Sequence, residues 1–113
     1  MIRTEQKDKI EIITFTVTNI NALVADEIRE LILNVISNSN PKVIIDLKGV
    51  EYIDSSGLGC FLSVMRAARS NYGVLKLANP EPGVKNIFEM LHLHTVFQIF
   101  ENVDSCIKSF KPL

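Results

Sequence analysis

The chain has 113 residues, 47% of them apolar and 22% charged, with only five glycines and four prolines. That balance describes one packed domain of ordinary size spanning residues 1–113, and it excludes disordered, collagen-like and low-complexity chains. Twelve basic residues against thirteen acidic ones leave a net charge of −1. No basic excess exists to neutralise a run of phosphates, which argues against a nucleic-acid partner. The apolar runs fall far short of the ~20 residues needed for membrane insertion. Met1 to Asp8 has no signal-peptide core, and Cys60 and Cys106 are the only cysteines. The expectation is a cytoplasmic protein with reduced thiols.

A short strand is expected over Ile2 to Glu5, with a turn at Lys7-Asp8 and a second strand from Ile10 to Val17. The β-branched enrichment and partial alternation of these segments predict an N-terminal hairpin. Asn21 is placed to cap a helix running from Ala22 to Ser37, with Ile28, Leu31, Ile32, Val35 and Ile36 on one stripe. Lys42 to Leu47 is nearly continuous in apolar residues and too short for a helix. Such a run predicts a strand covered on both faces with parallel neighbours.

A second helix is predicted from about Ser56 to Ser70, with Leu58, Phe61, Leu62, Met65 and Ala68 facing the core. Gly73 is expected to close it in a positive-φ conformation. Val74 to Ala78 reads as a strand, and Pro82 suits the first turn of a third helix carrying Val84, Ile87, Phe88 and Leu91. Val96 to Phe100 reads as the last strand, with Phe97 and Phe100 in the core. Asn102 or Asp104 starts a terminal helix that uses Val103, Ile107 and Phe110. The order β-β-α-β-α-β-α-β-α implies an α/β fold: a mixed four- to five-stranded sheet packed with about four helices, possible as a single helical layer.

The information-rich segment is Asp54-Ser55-Ser56-Gly57-Leu58-Gly59, lying between a buried strand and an amphipathic helix. Three chemistries compete there. Ser55 or Ser56 can cap orphan helix amides, the helix N-terminus can bind a phosphate ligand, or a hydroxyl can itself be phosphorylated. The second is the weakest, since no P-loop motif occurs and G-L-G lacks the further glycine of a dinucleotide fingerprint. No G-x-S-x-G elbow is present either. His92 and His94 alone are too few for a metal site. No catalytic residue, cofactor or metal is therefore assigned. Asp46 follows three apolar residues inside its strand and is expected to turn toward a loop or pair with a backbone donor, rather than to act as a receiver-type phosphoacceptor.

The run Val43-Ile44-Ile45-Asp46-Leu47-Lys48-Gly49-Val50-Glu51-Tyr52-Ile53-Asp54-Ser55-Ser56-Gly57-Leu58-Gly59 resembles the core signature of the STAS domain. It is similar in particular to the bacterial anti-sigma-factor antagonists. The resemblance continues through Leu75-Lys76-Leu77-Ala78-Asn79-Pro80 and Val84 to Leu91, and it ends in Val96 to Phe100. It implies a non-enzymatic signalling protein that takes part in transcription regulation by partner switching. Unmodified, it would bind an anti-sigma factor that is also a serine kinase; phosphorylated on Ser55, it would let go. A PP2C-type phosphatase would reset the cycle. The implied partner surface is Asn21, Asp54, Ser55, Ser56, Gly57, Arg66 and Arg69. Asn21 stands where the family commonly has Asp, a departure that bears on kinase recognition more than on the fold. The alternative is a STAS scaffold subunit of a larger signalling or lipid-transport assembly, without a phosphate cycle.

Overall fold

In the computed structural model, which describes residues 1–36 and 38–111, the chain opens with a hairpin. Strands β1 (Ile2–Lys7) and β2 (Ile10–Phe15) pair antiparallel, in register from Ile2 opposite Phe15 to Lys7 opposite Ile10. Asp8 and Lys9 both take positive φ, as a two-residue hairpin turn requires. A two-residue strand β3 (Asn19–Ile20) precedes helix α1 (Ala25–Val35). Then come β4 (Lys42–Asp46), a second two-residue strand β5 (Tyr52–Ile53) and helix α2 (Ser55–Ser70). Strand β6 (Val74–Ala78), helix α3 (Pro82–Met90), a 3₁₀ turn at Leu93–Thr95, β7 (Ile99–Phe100) and α4 (Val103–Ser109) complete the described chain.

The main sheet has the order β1-β2-β4-β6-β7, antiparallel at the hairpin and parallel elsewhere. Its central strand is β4, whose Val43, Ile44 and Ile45 are all fully buried. Alternation sends these side chains to opposite faces, so one strand feeds two cores. Val43 and Ile45 join Ile13, Leu75 and Leu77 beneath α1 and α2, in a cluster that includes Ile28, Ile32, Phe61, Val64 and Met65. Ile44 joins Ile10, Ile12 and Ala78 beneath Cys106 and Ile107 of α4. The single helical layer considered above is thus corrected. The short helix α4 covers the opposite face by itself.

Its docking is reinforced by Lys76, a buried cation. The Lys76 Nζ donates to the Ser109 hydroxyl at 2.9 Å and to the Ser109 carbonyl at 3.3 Å, and lies 4.4 Å from the centroid of the Phe110 ring. A buried ammonium is tolerable only with such partners. The α4 N-terminus is capped as expected, the Asn102 side chain accepting from the Ser105 N–H at 2.8 Å.

Other expectations shift. The last strand contracts to Ile99–Phe100, because Leu93–Thr95 winds into a 3₁₀ turn. That turn brings Phe97 edge-on to Phe88, with ring centroids 5.7 Å apart. Phe100 is half-buried over the α4 cluster. Gly73 does not supply the positive φ after α2; Tyr72 does, at 61°. The role of Gly73 is close approach, since a Cβ there would run into the Pro41 carbonyl and ring. The Val74 N–H donates to that same carbonyl at 2.8 Å, so the strands cannot separate to make room.

Two outcomes are expected. Gly73→Ala lowers unfolding free energy by about 1–3 kcal/mol in urea titration, the usual cost of overpacking. Burial pushes the Cys60 and Cys106 thiols up to about 11, from an ordinary value of 9.0. The folded state therefore holds these protons more tightly than the unfolded chain does. Their contribution to stability is complete below pH 9 and is lost as pH rises toward 11. Urea midpoints at successive pH values check this, and the alkaline loss becomes smaller in Cys106→Ala.

Candidate functional site

The site is built where two loops meet. One leads from β2 into α1, the other from β4 into α2. The two-residue strands β3 and β5 pair parallel, Asn19 with Tyr52 and Ile20 with Ile53, and stitch the loops together. The Asp54 N–H donates to the Ile20 carbonyl at 3.2 Å and extends this contact by one residue.

Asp54 then acts on both loops through its side chain. One carboxylate oxygen accepts from the Gly57 N–H at 3.0 Å, which caps α2. The other accepts from the Ala22 N–H at 3.1 Å, thirty-two residues away in sequence. A carboxylate that accepts two backbone N–H bonds is a strong fastener. The cap expected from Ser55 or Ser56 is therefore supplied by Asp54 instead. Ser55 and Ser56 are the first two helical residues, both exposed, and their own N–H groups lie where a helix offers no internal acceptor. The Leu58 N–H, donating to the Asp54 carbonyl at 3.0 Å, makes the first intrahelical bond.

Gly57 permits the docking. It is buried, and a Cβ there would collide with the Ile20 carbonyl and the Ile53 side chain. Gly59, two residues further on and exposed, has open space around it.

Asn21 does not cap α1. Its side-chain oxygen accepts from the Leu23 N–H at 3.0 Å, and its carbonyl accepts from the Val24 and Ala25 N–H groups. These bonds form a turn over residues 22–24, so the helix begins at Ala25 instead of Ala22. The turn leaves Leu23 90% exposed, next to the residue fastened by Asp54. Leu23 lies outside the apolar stripe of Ile28, Leu31, Ile32, Val35 and Ile36, which is the signal in the sequence that it does not face the core.

Between α1 and α2 runs a groove of about 390 Å³, lined by Ala22, Ala25, Asp26, Arg29, Ser56, Gly59, Cys60 and Ser63. Burial dominates the raised pKa of Cys60, and the Arg29 cation only partly offsets it, so the thiol at the groove is protonated at neutral pH. Arg66 and Arg69 are exposed on α2. At 1.5 Å per residue they lie about 16 Å and about 21 Å along the axis from Ser55, on the same side of the helix. Arg69 already lines a different groove, of about 480 Å³, with His94, Thr95 and Gln98. His94 therefore sits by the far end of α2, away from Ser55, and His92 is exposed. Among the described residues no group of three or more His, Cys, Asp or Glu side chains is placed to hold a metal ion. Asp46 accepts from the Lys48 N–H at 3.0 Å and the Asn79 amide at 3.4 Å, at the end of its strand.

The family model of the STAS domain matches residues 1–106, and the chain belongs to that family. In sequence it is similar to BtrV of Bordetella bronchiseptica, which carries the name of an anti-sigma factor antagonist. The two are 25% identical over 92 residues, covering 81% of this chain and 79% of that protein. In structure it is similar to an anti-sigma-factor antagonist (STAS) domain protein from Planctomyces limnophilus, with TM-score 0.87, 20% identity and 96% of each chain covered. It is also similar to SpoIIAA of Bacillus. The unphosphorylated form matches with TM-score 0.75, 21% identity and coverage of 96% of this chain and 95% of that one. The phosphorylated form matches with TM-score 0.69, 20% identity and coverage of 98% and 100%. No described helix is long and apolar enough to cross a membrane.

One comparison tests this geometry. Gly57→Ala is expected to destabilise the protein by about 1–3 kcal/mol through the clash with Ile20. Gly59→Ala is expected to stabilise it by about 0.5–1 kcal/mol through helix propensity. Thermal and urea unfolding of the two variants side by side checks the opposite signs.

Proposed function

We propose that this protein is an anti-sigma factor antagonist that acts in the cytoplasm as a non-enzymatic binding partner gated by phosphorylation of Ser55. Unmodified, it binds an anti-sigma factor that is also a serine kinase; phosphorylated, it releases that partner, and a PP2C-type phosphatase restores the unmodified form. One observation carries the reading. Ser55 is exposed at the first position of α2, while the neighbouring carboxylate is turned away onto the Ala22 and Gly57 amides. A kinase can reach the hydroxyl, and a phosphate there meets the free amides and positive dipole end of the helix. No backbone rearrangement is needed to receive it. The sequence and structural relatives, among them a phosphorylated SpoIIAA, support the same reading.

The contact surface comprises Ser55, Ser56, the turn at Asn21 to Leu23, and the exposed side of α2 through Arg66 and Arg69. Asp54 and Gly57 act from beneath it by fixing its shape. Leu23 adds a large exposed apolar side chain to that surface. The gating magnitude is adequate. Phosphorylation adds roughly −1.5 to −2 charges. Against a partner carboxylate about 5 Å away, each added charge costs roughly 3 kcal/mol at an effective dielectric of about 20. Half of one such term weakens binding about tenfold.

The test pairs capture with modification. Incubated with its kinase partner and ATP, the wild type is expected to gain one phosphate on the Asp54–Gly57 segment. Ser55→Ala is expected to bind without becoming modified, and Ser55→Asp to bind at least tenfold more weakly. Equal binding by Ser55→Asp, or phosphate placed elsewhere, contradicts the proposal.

A further inference from the structure

The outer strand of the hairpin is an edge used on one side only. β1 pairs with β2 and with no other described strand, and Arg3, Thr4, Glu5, Gln6 and Lys7 are all exposed. The Thr16 N–H donates to the Met1 carbonyl at 2.8 Å, which fixes the phase of the ladder. Hydrogen-bonded and non-hydrogen-bonded pairs alternate along an antiparallel ladder. Arg3, Glu5 and Lys7 therefore direct their main-chain groups at β2, and Ile2, Thr4 and Gln6 direct theirs outward. The side chains of Arg3, Glu5 and Lys7 share the face of Ile12 and Ile10, opposite which they pair. Gln6 lies on the other face, its amide donating to Glu11 at 3.2 Å.

We propose that β1 pairs antiparallel with β1 of a second copy of this chain, about a two-fold axis at Thr4, joining the two sheets edge to edge. The register follows from hydrogen bonding and charge together. Self-pairing must set outward-directed residues opposite one another. Three registers engage at least two of them per copy, centred on Arg3, Thr4 or Glu5. Centring on Arg3 sets that cation against itself. Centring on Glu5 sets it against itself and Arg3 against Lys7 of the second copy. Centring on Thr4 engages Ile2, Thr4 and Gln6 together and places Arg3 opposite Glu5 of the second copy, twice, on one face. Opposite charges directly across a ladder stabilise it, and like charges do the reverse. Charged edge residues commonly keep sheets apart. Here the register with the most hydrogen bonds is also the one that sets Arg3 and Glu5, opposite charges, across the ladder.

A single strand pair covers little area, so the dimer is weak and concentration-dependent. Sedimentation velocity of the full chain, from about 10 μM to about 1 mM, is expected to show a reversible monomer–dimer shift that high salt weakens. Arg3→Glu alone and Glu5→Arg alone each set like charges opposite in two places and weaken self-association about tenfold. Mixed in equal amounts, these two singly reversed chains dimerise with each other, and the double variant dimerises again. Thr4→Pro removes an outward N–H that the monomer does not use, so it keeps the wild-type circular dichroism and stays monomeric. A wild type that remains monomeric throughout overturns the proposal. A dimer untouched by Thr4→Pro or by charge reversal does so equally. Loss of kinase capture by Ser55→Asp moves none of these readouts.

Discussion

A single carboxylate organises the functional end of this molecule. Asp54 accepts one hydrogen bond from its own helix and one from the loop before α1, and these two bonds join segments that the main sheet does not connect. The β3–β5 ladder and the absence of a side chain at Gly57 bring the loops close enough for the carboxylate to span them. Everything exposed at this end inherits its position from that fastening: Ser55, Ser56 and Leu23 project from a surface whose two loops are held together beneath.

This arrangement separates the residue that holds the site from the residue proposed to be modified. Had Ser55 supplied the helix cap, modification would remove a cap worth about 1 kcal/mol and loosen the helix start. With Asp54 as the cap, a phosphate on Ser55 adds charge at a fixed place and leaves the underlying bonds intact. The proposed switch thus acts on the partner through electrostatics, and the fold has no need of two states. The deep burial of β4 serves the same end, since a strand packed on both faces gives the loop after it a rigid origin.

Much of this was legible in the residues. The unbroken apolar run at Val43–Ile45 predicted a doubly covered strand, and the structure buries all three. The stripe through Leu58, Phe61 and Met65 predicted the buried side of α2, and Pro82 and Asn102 marked helix starts. The Asp54–Gly59 segment identified the candidate site. What escaped has physical causes. Two-residue strands such as β3 and β5 are too short to carry any periodicity, so the contact between the loops was invisible. Asn21 suits a turn as well as a cap, and only the tertiary bond from Ala22 to Asp54 decides between them. Gly73 has the composition of a helix stop, yet its role comes from Pro41, thirty-two positions earlier in the chain. The placement of α4 on the far face depends in part on Lys76, a residue type that does not announce a core position when read alone.

The proposed phosphorylation of Ser55 acts on an unmoving platform. Amide hydrogen exchange at Ala22 and Gly57, read by NMR in the unmodified and Ser55-phosphorylated protein, measures it directly, because these are the two amides that Asp54 holds. Both are expected to remain protected to a similar degree in the two forms while partner capture is lost. Loss of protection at both amides on phosphorylation would instead mean that the loops come apart, and that the switch works by unfolding the site.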